Sequence, residues 1–194
     1  MQANKYIGDE SFIKMLEHYS CPTPLDIIKM RFAGAICSPN LKLRPTDVIS
    51  SFWEEGRIPR LETKAEADLF FKFFMGLWDE IFDEIKIAKI KLPQLADKEI
   101  TSYCQKRYDE IEQGYLEGFF GGEENLKIPG YLAQIVDSLS ELAVVYQKIA
   151  AKGESSAAVW DAVKHTDKMV VRAIDFIIEN SVLPRIEDLK RTVN

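Results

Sequence analysis

The chain has 194 residues, 46% of them apolar and 29% charged, with a formal net charge of −6 at pH 7. That apolar share is too high for a disordered chain, and a fold of this length buries about 70% of its extended surface. The acidic balance argues against wholesale binding to nucleic-acid phosphates, and no apolar run approaches the roughly 18 residues that a membrane-spanning helix needs.

In chain order, residues 1–10 are polar and show no signal-peptide pattern. Residues 11–19 then predict a short helix with Phe12, Ile13 and Leu16 inward. Cys21 and Pro22 break it, and Thr23 and Pro24 supply an N-cap and a first helical position for a second helix that runs to about Cys37. Ala33, Gly34 and Ala35 within it are small enough for a neighbouring helix to approach closely. Thr46 caps a short helix carrying Val48, Ile49, Phe52 and Trp53, and residues 54–61 read as an irregular linker around Gly56 and Pro59.

Residues 63–93 give the longest apolar helical signal. Thr63 and Glu66 have capping-box spacing, and Leu69, Phe70, Phe73, Phe74, Leu77 and Ile81 recur at helical steps. Phe71 and Met75 widen the apolar face, so this helix is expected at the centre of the fold. Lys86, Lys89 and Lys91 suit its C-terminal dipole, while 85–92 also alternates with the period of a short strand.

Beyond Pro93, Asp97 is a cap for a helix with Tyr103, Cys104, Tyr108, Ile111, Tyr115 and Phe119 on one stripe, stopped by Gly118, Gly121 and Gly122. Pro129 opens another helix that ends at Gly153. Ser155 or Ser156 caps the next, to about Asn180, and Pro184 begins a short final one. The expected fold is all-α: a bundle of seven to eight helices around 63–93, in a single domain covering residues 1–194.

Three stretches resemble the YecA/YgfB family of small bacterial all-helical proteins, also called UPF0149. They are IKMRFAGAICSP at 28–39, the acid-capped, Leu/Phe-rich helix at 62–85, and GYLEGF at 114–119. The resemblance covers about 25–125 and leaves 129–194 as a C-terminal helical extension packing on that core. Lys29-Met30 stands where the family carries Asp-Gly, and nothing after Cys104 can supply the zinc-binding tail of some relatives. The resemblance implies a cytoplasmic helical protein and brings no catalytic residue.

Site chemistry is sparse. Cys21, Cys37, Cys104, His18 and His165 lack the paired short spacing of a zinc site, and neither histidine has the Glu three residues before it that a di-iron bundle requires. The widely spaced thiols fit a reducing cytoplasm. Gly121-Gly122 is followed by two acids, which disfavours a phosphate loop. No metal, cofactor or catalytic residue is expected.

The strongest binding signal is Trp53, Arg57, Ile58 and Arg60, an aromatic and two guanidinium groups on an irregular segment. Local pairing of the arginines with Glu54, Glu55 and Glu62, with Trp53 in the core, is the competing explanation. The acidic 118–130 loop is a second candidate contact. The expectation is therefore a non-catalytic protein acting through a protein partner or self-association. The alternatives are an enzyme or ligand binder with a cleft lined by Tyr103, Tyr108, Tyr115 and carboxylates, and a nucleic-acid regulator using Arg57, Arg60 and 86–91.

Overall fold

The computed structural model describes residues 5–87, 90–123 and 126–193. Among these residues there are seven helices and no strand: α1 Asp9–His18, α2 Leu25–Cys37, α3 Pro45–Ser50, α4 Lys64–Lys86, α5 over 100–120, α6 Gly130–Lys152 and α7 over 157–193. The all-α bundle expected from periodicity is what forms. Both α5 and α7 run continuously through a π-helical stretch, Glu110–Leu116 in one and Ile178–Val182 in the other.

Local chemistry sets the ends. The Thr63 hydroxyl accepts from the Glu66 N–H at 3.1 Å, and the Glu66 carboxylate reaches back to the Glu62 N–H at 2.6 Å. Ser156 caps α7 through the Val159 N–H. At α2 the start falls one residue later than the spacing predicts: Pro24 is the N-cap, because the Thr23 hydroxyl donates instead to the Phe52 carbonyl at 2.8 Å. Asp97 does not cap α5, which begins at Ile100; its carboxylate is taken by Ser102 and Lys106. The helix α4 stops at Lys86, and 90–92 is irregular rather than a strand; Lys89 lies outside the described residues.

Pro184 does not start a separate helix. The π turn before it absorbs the register change. The Asn180 carbonyl, which a helical N–H at position 184 would have met, accepts from the Tyr131 hydroxyl at 3.2 Å.

Burial shows which helix the others surround. Ten of the 13 residues of α2 are buried, against six of 23 in α4. α4 lines one side with a single stripe. Phe70 and Phe74 meet Phe12, Phe52 and Trp53 at ring separations of 5.1–5.9 Å, whereas Leu69 is 52% exposed. α2 is touched by α1, α3, α4, by the whole π turn of α5 and by that of α7.

Its small residues permit this. A methyl group on Gly34 would strike the Tyr115 carbonyl oxygen and sit 2.8 Å from the Phe119 nitrogen, and one on Gly118 would strike the Arg31 carbonyl. The backbones of α2 and α5 therefore touch with no side chain between them. Outside this seam, α6 packs on α5 and α7 through Leu132, Leu139, Ala143, Val163, Val170 and Ile174.

Candidate functional site

The predicted linker separates into an inner and an outer part. Trp53 turns into the core against Phe70 and Phe74, and its indole N–H donates to the Tyr19 carbonyl at 3.3 Å. Arg57 pairs with Glu55 at 2.8 Å and Arg60 with Glu62 at 3.3 Å, all four well exposed, and Ile58 is 37% exposed. The structure thus leaves Arg57, Ile58 and Arg60 on the surface without the aromatic anchor. Lys86 pairs with Asp83, so Arg57, Arg60 and Lys86 of the nucleic-acid reading are each offset by a neighbouring acid. In the 118–130 loop, Glu123 accepts from the Asn40 amide at 2.9 Å; residues 124–125 are outside the described set.

The three tyrosines of the enzyme reading go to different surroundings. Tyr115 is fully buried against Cys37, whose thiol burial pushes up to about 12. Tyr103 is half-buried in an ionic cluster, and Tyr108 packs partly against the core. None of them lines the cavities described here. Cys21 contacts the Thr23 and Phe52 carbonyls, and burial raises its thiol too, so it is not an activated nucleophile.

Two buried arginines carry most of the interior charge. Arg31 donates twice to the Gln113 carbonyl, at 2.9 and 2.7 Å, once to the Ser51 carbonyl at 2.8 Å and once to Glu117 at 2.7 Å, with its guanidinium over the Phe52 ring. Gln113 lies in the π turn, where the shifted register leaves carbonyls short of partners. Arg31 supplies them.

Arg107 serves carboxylates instead. It donates to Glu110 at 2.6 Å and to the Pro93 carbonyl at 2.8 Å, and lies 3.3 Å from Asp167. Asp167 also accepts from Tyr103 and Tyr146, each at 2.6 Å. Glu110 is 2% exposed and its second oxygen has no partner among the described residues. Burial outweighs the Arg107 charge and lifts the Glu110 carboxyl to about 7. Sequence reasoning did not single out this cluster. The available signal was Arg107 and Glu110, three residues apart on the apolar stripe of Cys104 and Ile111.

Two surface features complete the picture. A cleft of about 290 Å³ opens between α1, α2, α4 and the 90–93 segment. On the far side of the molecule, the outer face of the α6–α7 hairpin presents Tyr131, Val145, Met169 and Phe176, each 37% to 49% exposed. Among the described residues no cluster of three or more His, Cys, Asp and Glu side chains is placed to hold a metal, and no helix is long and apolar enough to cross a membrane. Compared with family models, curated proteins and solved structures, the chain has no significant match.

Proposed function

We propose that this chain is a non-catalytic helical protein that acts by protein–protein contact, with the outer face of α6–α7 as the surface and a second copy of the chain as its occupant. The observation that carries the reading is the row of exposed apolar side chains on that face. Helical spacing puts Tyr131 and Val145 on one side of α6, and Met169 and Phe176 on the matching side of α7. Half-buried Ile135, Leu142 and Ala173 fill the space between them. A 23-residue helix is about 35 Å long and two abreast span about 20 Å. The face thus offers on the order of 700 Å², close to the roughly 800 Å² per partner of a standard interface.

Charge favours a second copy. Hydrogen bonds from Tyr146 to Asp167 and from Tyr131 to Asn180 set the levels of the two helices. By the same matching, Glu141 lies level with Arg172, and both are exposed. About a two-fold axis along the hairpin, Glu141 of one copy meets Arg172 of the other, twice over. The ionic cluster supports the non-catalytic part, since the Tyr103 and Tyr146 hydroxyls both donate to Asp167. Membership of the UPF0149 family belongs to the same proposal: its stretches fall on α2, α4 and the π turn of α5. The three free thiols suit a cytoplasmic setting.

Sedimentation equilibrium across the micromolar range tests the reading. The expected result is twice the 22.2 kDa chain mass, reverting to one with Val145→Glu plus Phe176→Glu. A wild-type chain that stays monomeric removes the second copy as occupant and leaves the face for a different protein.

A further inference from the structure

The cleft between α1, α2 and α4 has a built floor and a charged wall. Its floor is Met30, Ala33, Leu77, Ile81 and Ile90, core residues each no more than 7% exposed. On one wall Asp9 accepts from both Lys29 and Tyr6, at 2.6 to 2.8 Å. Burial pushes the Asp9 carboxyl up, but those hydrogen bonds hold it below the ordinary range. That wall is internally satisfied.

The opposite wall is not. Glu80 and Glu84 lie one turn apart on α4, both lining the cleft, and neither carboxylate has a hydrogen-bond partner among the described residues. Among the described lining residues, the one cation outside the Asp9–Lys29 pair is Lys91. Partial burial, reinforced by the Glu80 charge, holds the Glu84 carboxyl above its usual range. Two acids on a solvated helix face need no ligand. Here they stand at the mouth of a cavity with an apolar floor, at the small end of the roughly 300–1,000 Å³ of small-molecule sites.

We infer that this cleft binds a small amphipathic organic cation, a protonated amine on a short apolar body. The ammonium group donates to Glu80 and Glu84, and the hydrocarbon lies on Leu77, Ile81 and Met30. An anionic ligand is disfavoured, because Lys29 is already held by Asp9 and the remaining charges among the described lining residues, two acids and one lysine, are net negative. The site lies away from the α6–α7 face, so it stands or falls independently of self-association.

The probe is n-hexylammonium, compared with 1-hexanol and hexanoate, by calorimetric titration of the full chain. Hexylammonium is expected to bind tightest of the three. Glu80→Gln plus Glu84→Gln should weaken it at least about tenfold, the worth of one charge-assisted hydrogen bond. Lys91→Glu should tighten it, because the lysine is the local competitor for the two acids. These positions are exposed, so an unchanged melting temperature certifies the fold of each variant. Hexanol binding as well as hexylammonium, hexanoate binding better, affinity unchanged in the double variant, or no binding of hexylammonium overturns the proposal.

Discussion

The α2–α5 seam and the outer face of α6–α7 are opposite uses of a helix surface. Across the seam, glycines bring two backbones into contact, and the Gln113 carbonyl of the π turn is capped by a buried arginine. On the outer face, large side chains stand partly in water, uncovered by any of the described residues. The first arrangement tolerates no added atom. The second tolerates many, and its substitutions should be read out in assembly rather than in folding.

The largest effect should come from closing the seam's free space. Gly34→Ala places a methyl group on the Tyr115 carbonyl, so α2 and α5 must separate; a loss of about 3 kcal/mol, at the upper end for overpacking, is expected in urea unfolding. The same change at Gly130, where a Cβ meets nothing within 4 Å, should cost little. A Gly34→Ala chain of wild-type stability would mean that the seam is not the rigid part.

Arg107→Met should come next. It leaves the buried Glu110 and the half-buried Asp167 without their shared cation, and breaking the buried Arg107–Glu110 pair costs about 3 kcal/mol or more. Glu110 also sets a pH dependence. Its carboxyl is raised in the fold, from the ordinary value near 4.5 to about 7, by burial above all, with Asp26 and Asp167 adding to the effect against Arg107. The native state therefore holds a proton that the unfolded chain has already released. Its contribution is full below about 4.5 and is lost as pH rises toward 7. Glu110→Gln should remove that slope, worth on the order of 3 kcal/mol. A variant with the same pH profile as the wild type would contradict the sealed, half-paired carboxylate.

On the outer face, Phe176→Glu should leave urea stability within about 0.5 kcal/mol while abolishing the dimer by sedimentation. Smallest of all, Arg57→Glu plus Arg60→Glu should change stability by less than about 0.5 kcal/mol, because both arginines are in exposed pairs. A loss of assembly in that variant would move the contact surface back to the linker.

The fold was legible in the sequence where local chemistry decides. The Thr63 cap, the Ser156 cap and the terminating Gly153 all act where they are written. The centre of the bundle was less so. Length and aromatic content favour 64–86, but what decides centrality is how many neighbours can approach, and Gly34 gives that to α2. The π turns escaped periodicity, because a one-residue register shift keeps the apolar stripe nearly intact. Trp53 and its arginines share a segment yet face opposite ways, which spacing within an irregular linker does not reveal. The hairpin face was hidden for a related reason. Ile135, Leu142 and Ile149 read as inward from their period, and only the two-helix geometry shows Tyr131 and Val145 beyond them.

Hydrogen–deuterium exchange followed against protein concentration tests both halves of the comparison at once. Protection in residues 131–149 and 169–180 should rise with concentration, while 25–37 and 110–118 stay equally slow throughout. Exchange in the hairpin that ignores concentration, or a seam that opens as fast as the hairpin, would contradict the account.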